Sequence, residues 1–118
     1  MNNNLDKPVA YIRRKRKPEA IIYLKDNDQK AAQKLLCYMY ATDYNVDVLG
    51  ETTNIEEVKD CNLMIIASAS ILTRDAKEYY KIEKKLREQG IGIQIATANG
   101  RAGKYMDMMI QLSKKGRI

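Results

Sequence analysis

Two short stretches of this chain are apolar without interruption, Ala20-Ile21-Ile22-Tyr23-Leu24 and Leu63-Met64-Ile65-Ile66-Ala67. Two others alternate apolar with polar residues, Asn45-Val46-Asp47-Val48-Leu49-Gly50 and Ile91-Gly92-Ile93-Gln94-Ile95. An unbroken apolar run suits a strand covered on both faces, whereas alternation describes a strand with one wet face. Helical patterns separate the four runs. Ala32, Leu35, Leu36 and Met39 stand at i, i+3, i+4 and i+7, with Asn27 or Asp28 as candidate N-caps. Residues 54–59 allow only a short helix. A longer one runs from a candidate cap at Thr73 through Gln89, with Tyr79, Ile82 and Leu86 as its inner stripe and Gly90 as its stop. A last helix is expected from about residue 103 to 113.

The order β-α-β-α-β-α-β-α marks a parallel α/β sheet. The two fully apolar strands belong at its centre and the two alternating strands at its edges, and right-handed crossovers then give the order 2-1-3-4. That is a three-layer, flavodoxin-like arrangement. Its switch point lies between the C-terminal ends of the central strands, where residues 25–28 face Ser68-Ala69-Ser70, and a functional site is expected there. The chain is 118 residues long and supports one core. It divides into a basic arm, 1–18, and an α/β domain, 19–118.

Charge is unevenly placed. The net +6 resolves into +4 over residues 1–20, +3 over residues 103–118 and −1 over the 82 residues between them. Arg13-Arg14-Lys15-Arg16-Lys17 forms an unbroken cationic run that reads as a solvated arm or as a clamp on phosphates. Val9-Ala10-Tyr11-Ile12 before it could add an edge strand or pair with a second subunit. With no histidine, the chain has no Ser-His-Asp or Cys-His triad and no histidine-ligated zinc. Cys37 and Cys61 share no CxxC motif and read as ordinary thiols of a reducing compartment. No apolar run approaches a membrane span and no signal peptide opens the chain, so a cytoplasmic protein without cofactor or metal is expected.

At the switch point, residues 25–28 contain no glycine and so cannot form a dinucleotide-binding turn. Asp26 and Asp28 would suit a phosphate-accepting receiver domain, but Ser68 or Ser70 stands where its acceptor aspartate should be. Gly100-Arg101-Ala102-Gly103 has the GxxG shape that clamps nucleic-acid backbones, although a turn into the last helix explains it as well.

The stretch from Ala20 through Tyr23, Lys25, Asn27 and Gln29, then Gln33, Leu35-Leu36 and Tyr44-Asn45-Val46, resembles the opening of the resolvase/invertase, or serine recombinase, catalytic domain. Leu63 to Ser70 with Leu72-Thr73-Arg74 resembles the family's Asp-Arg-Leu-x-Arg strand and turn. Lys85 to Ile91 resembles its Leu-x-x-x-Gly-Ile junction, and Gly103-Lys104-Tyr105-Met106 the opening of its dimer helix. The resemblance implies a serine after the first strand that attacks a DNA phosphate, and arginines that neutralise the transition state. Here Asn27 stands nearest that serine, Lys25 replaces the first arginine, Ser70-Ile71 replaces the Asp-Arg pair, and Arg74 alone remains.

The sequence therefore points to a degenerate recombinase-like site, Lys25, Asn27, Asp28, Ser70 and Arg74, with no catalytic residue. Its expected role is that of an accessory or regulatory factor of a mobile element, carried on a plasmid or phage. DNA would be bound with little sequence specificity by Arg13, Arg14, Lys15, Arg16, Lys17, Arg101, Lys104, Lys114, Lys115 and Arg117. In the last helix, Tyr105, Met108, Met109 and Leu112 form the expected core stripe and Met106 with Ile110 a neighbouring face. A homodimer, or a mixed dimer with a recombinase, is expected through Tyr105, Met106, Met109 and Ile110. The chain ends at Lys114-Lys115-Gly116-Arg117-Ile118, so the family's helix-turn-helix reader is expected to be absent. Two alternatives stand beside this reading: a module that binds or inhibits an active recombinase, and a true recombinase or nicking enzyme using Ser68 or Ser70.

Overall fold

The computed structural model describes residues 17–115. Four strands, β1 (Glu19–Tyr23), β2 (Asp47–Thr52), β3 (Leu63–Ile66) and β4 (Gly92–Ile95), form one parallel sheet in the order β2-β1-β3-β4. The expected order 2-1-3-4 is therefore the observed one, with the two apolar strands inside. Helices α1 (Lys30–Asp43) and α3 (Gly100–Lys115) cover one face, and α2 (Ala76–Glu88) covers the other.

The two faces hold separate cores. Ala20, Ile22, Leu24 and Ile65 pack with Leu36, Cys37, Tyr40 and Ala41 of α1 and Ala102 of α3. Met64 and Ile66 pack with Leu86 of α2, Val58 and Ile91, and the expected stripe partners Tyr79 and Ile82 lean on that cluster. The second face is the thinner one. Its β2–β3 crossover is a single 3-10 turn, Ile55–Glu57, rather than a helix over 54–59. Ile21 and Tyr23 of the central strand consequently remain half-buried. The register of β1 against β2 skips Leu49, because Ala20 pairs with Val48 and Ile21 with Gly50, and this bulge leaves Leu49 exposed.

Both helices that lead into strands end the same way. Asn45 (φ 57°) and Gly90 (φ 81°) take the left-handed conformation just past α1 and α2. The following amides close the helix: Val46 N donates to Ala41 O, and Ile91 N donates to Leu86 O. The helix starts differ from expectation. Asp75, not Thr73, accepts from the Lys77 amide to cap α2, while the Thr73 hydroxyl accepts from Asp75 N. Gln29 occupies the N-cap of α1 without a side-chain bond.

The α1 stripe is rotated by about one residue from the expected one. Ala32 and Leu35 are exposed, and the inner face is Gln33, Leu36, Cys37, Tyr40 and Ala41. The last helix is corrected too. It begins at Gly100, and Ala102, Tyr105 and Met106 make its core contacts, while Met108, Met109 and Leu112 are exposed. Only the first two turns of α3 lie against the α1 core, so apolar residues beyond them meet solvent regardless of periodicity.

Candidate functional site

The rim at the C-terminal ends of β1 and β3 is where the chain order changes direction across the sheet. On the β1 side the loop through residues 24–29 is held by one buried side chain. Gln33 is 4% exposed. Its Oε1 accepts from Lys25 N at 2.8 Å, and its Nε2 donates to Lys25 O at 3.1 Å and to Asn27 Oδ1 at 3.0 Å. Asn27 Oδ1 also accepts from Gln29 N at 2.9 Å. The amide of Gln33 thus supplies the donor and the acceptor that a neighbouring strand would have supplied, and this permits a polar group to sit in the core face of α1.

Asn27 is used up in this staple, since its carbonyl oxygen accepts from two donors. Lys25 and Asp28 are exposed on the same loop, and Asp26 makes a solvent-facing pair with Lys30 at 3.7 Å. On the β3 side, Ser68 and Ser70 flank the start of a 3-10 turn, Ala69–Ile71, and their hydroxyl oxygens lie 3.0 Å apart. Neither hydroxyl is bonded to a carboxylate or an amine among the described residues. The hydroxyl and amide of Thr97 both donate to Ala67 O, at 2.8 and 3.1 Å, which ties the end of β4 to the end of β3. Arg74 is exposed between that turn and α2 and forms no ion pair among the described residues. The cavity that touches this rim, about 280 Å³, is lined by Leu24, Lys30, Glu51, Thr52, Thr53 and Glu57, not by either serine.

No family model and no curated protein matches the sequence. Among solved structures, the chain is similar to the crystal structure of the C-terminal catalytic domain of ISC1926 TnpA, an IS607-like serine recombinase. The TM-score is 0.53 at 18% sequence identity, over 80% of each chain. The chain has the fold of a serine recombinase catalytic domain. The match supports the expected fold class, a parallel α/β sheet of order 2-1-3-4.

Within that fold the expected site residues fall into two groups. Lys25, Asn27, Asp28, Ser70 and Arg74 all belong to the loops that follow β1 and β3. Gln33, which organises the first of these loops, enters the sequence reading only among the residues of the recombinase-like opening and not as a candidate site residue.

The expected nucleic-acid contacts are scattered. Lys17 and Lys104 are exposed. Lys114 and Lys115 fall in the last turn of α3. Arg13, Arg14, Lys15, Arg16 and Arg117, as well as Val9-Ala10-Tyr11-Ile12, lie outside the described residues. Arg101 is otherwise engaged: its guanidinium reaches both carboxylate oxygens of Asp43, Nε to Oδ2 at 3.1 Å and Nη2 to Oδ1 at 2.9 Å, so it fastens α3 to the end of α1.

The GxxG segment also has a packing explanation. Gly100 is left-handed (φ 50°), and a Cβ on Gly103 would stand 2.8 Å from Thr97 O. Of the expected dimer residues, Tyr105 and Met106 are half-buried against the α1 core, while Met109 and Ile110 are each 46% exposed. Among the described residues no helix is long and apolar enough to cross a membrane.

Proposed function

We propose that this chain is a DNA-associated accessory or regulatory factor built on the serine recombinase fold and without its strand-exchange chemistry. The observation that carries this reading is the state of the β1 loop. The fold's nucleophilic serine is expected there, and the chain has Asn27, whose carboxamide is bound to Gln29 N and Gln33 and has no ionisable hydroxyl. Ser68 and Ser70 are poor substitutes, because they bond to each other and neither hydroxyl is bonded to a base among the described residues.

Binding would then rest on cations. Lys17 and Lys104 are free of ion pairs among the described residues, and the arm residues 13–16 add a dense positive charge in sequence. An arm that neutralises about four phosphates gives strongly salt-dependent binding that reads little sequence. A gel-shift titration of the purified protein against duplex DNA at several salt concentrations tests this. A shift that weakens steeply with salt is expected, and no binding even at low salt removes the DNA half of the reading.

A second reading is favoured by a different observation. Met108, Met109, Ile110 and Leu112 of α3 are all about half exposed, an apolar surface suited to a second copy or to the matching helix of an active recombinase. Met109→Lys with Ile110→Lys is expected to abolish self-association or mixed dimers while charge reversal of residues 13–17 leaves them intact. The opposite pattern sinks this version.

A further inference from the structure

The nearly neutral body is polarised across its sheet. Residues 21–62, which supply most of β1, α1 and β2, carry a net −4, and residues 63–102, which supply β3, α2 and β4, carry a net +3. Because the sheet order is β2-β1-β3-β4, these halves lie side by side, the acidic one ending at the β2 edge and the basic one at the β4 edge. Most of the basic half's cations lie on α2, which carries Lys77, Lys81, Lys84, Lys85 and Arg87 against Glu78, Glu83 and Glu88. Tyr79, Ile82 and Leu86 face the core, and the opposite side presents Lys77, Tyr80, Lys81 and Lys84 around a shallow concavity of about 490 Å³ with no carboxylate in its lining. Tyr80 is 58% exposed. None of these lysines forms an ion pair among the described residues.

We infer that the outer face of α2, through Lys77, Lys81, Lys84 and the Tyr80 hydroxyl, is a docking surface for the phosphate backbone of duplex DNA, separate from the basic termini. The dimensions suit it. Lys77 to Lys84 spans about 10 Å along the helix axis, which is about three axial rises of about 3.4 Å along one strand of a duplex, so three flexible lysines can each reach a different phosphate. A phenol beside the row adds a neutral donor of the kind that positions a protein on phosphates without reading bases. The acidic β2 side disfavours a polyanion and leaves the duplex one preferred approach. This inference rests on the DNA-binding reading above and places part of the contact in the folded body.

The test is fluorescence anisotropy with a labelled mixed-sequence duplex, using three full-length proteins: wild type, the triple variant Lys77→Gln, Lys81→Gln, Lys84→Gln, and an arm variant with residues 13–17 changed to Gln. Circular dichroism confirms that each is folded. Between about 50 and 200 mM salt, the triple variant should lower the magnitude of the slope of log K against log salt by about 2 to 3, because each lost phosphate contact removes about 0.9. An unchanged slope in the triple variant overturns the inference, and if the arm variant alone loses slope the DNA reading survives without it. Failure of the wild type to bind at the lowest salt overturns both. A triple variant whose DNA binding is unchanged but whose sedimentation mass falls assigns the face to the acidic side of a second copy, and also overturns the inference.

Discussion

Gln33 carries more of the site than any titratable residue. It is buried, polar and bonded three ways to the β1 loop, so Gln33→Leu keeps the volume but strands the amide and carbonyl of Lys25. The expected cost is about 1–3 kcal/mol in urea unfolding, the price of leaving a buried polar group unpaired. Gln33→Ala adds a cavity and should be no milder; an unchanged midpoint for Gln33→Leu would mean that water replaces the staple. Cys37 sits on the same inner face of α1. Burial, with a smaller contribution from the negative charge of Glu51, pushes its thiol from 9.0 up to about 12. The unfolded chain releases that proton first as pH rises, so the contribution to stability is complete below about pH 9 and is lost progressively toward pH 12. At pH 8, an alkylating reagent should modify the half-buried Cys61 well before Cys37, and equal rates would show that α1 opens freely.

At the scale of elements, the sequence reveals the two α2 features that depend on residue type: its inner stripe and its stop at Gly90. For α1 it misleads by one position, because Leu35 and Tyr38 are more apolar than Gln33 yet lie outside. Periodicity weighs transfer energies and cannot see that an amide will find backbone partners eight residues away. In α3 the period is readable, but how far the helix remains supported by the α1 core is a tertiary fact.

The glycines at the helix boundaries separate two costs. Gly90→Ala meets open space and should lose about 1–2 kcal/mol for its left-handed backbone alone. Gly103→Ala has ordinary helical geometry but drives a methyl against Thr97 O at 2.8 Å, and it should lose about 1–3 kcal/mol while displacing the start of α3 from β4. A thermal melt of each checks the magnitudes. A Gly103→Ala protein that melts like wild type would show that the turn over Ala96–Ala98 yields.

For the whole molecule, strand number, strand order and the location of the switch point followed from apolar runs and crossover handedness, because a parallel sheet must bury its central strands on both faces. The division of charge inside the body was not legible from the net figure. A count of −1 over 82 residues conceals halves of −4 and +3 that only the sheet order sets side by side.

The proposed loss of strand-exchange chemistry rests on Asn27 in the β1 loop, where a nucleophile is expected, and on Ser68 and Ser70, which have no base beside them among the described residues. The most direct measurement is incubation of the full-length protein with supercoiled plasmid at low salt, followed by denaturing electrophoresis and a search for protein covalently joined to DNA. Plasmid that stays supercoiled and no adduct are expected, for wild type and for Ser68→Ala with Ser70→Ala alike. Nicked or relaxed plasmid with a phosphoseryl adduct at Ser68 or Ser70, abolished by that double substitution, would contradict it.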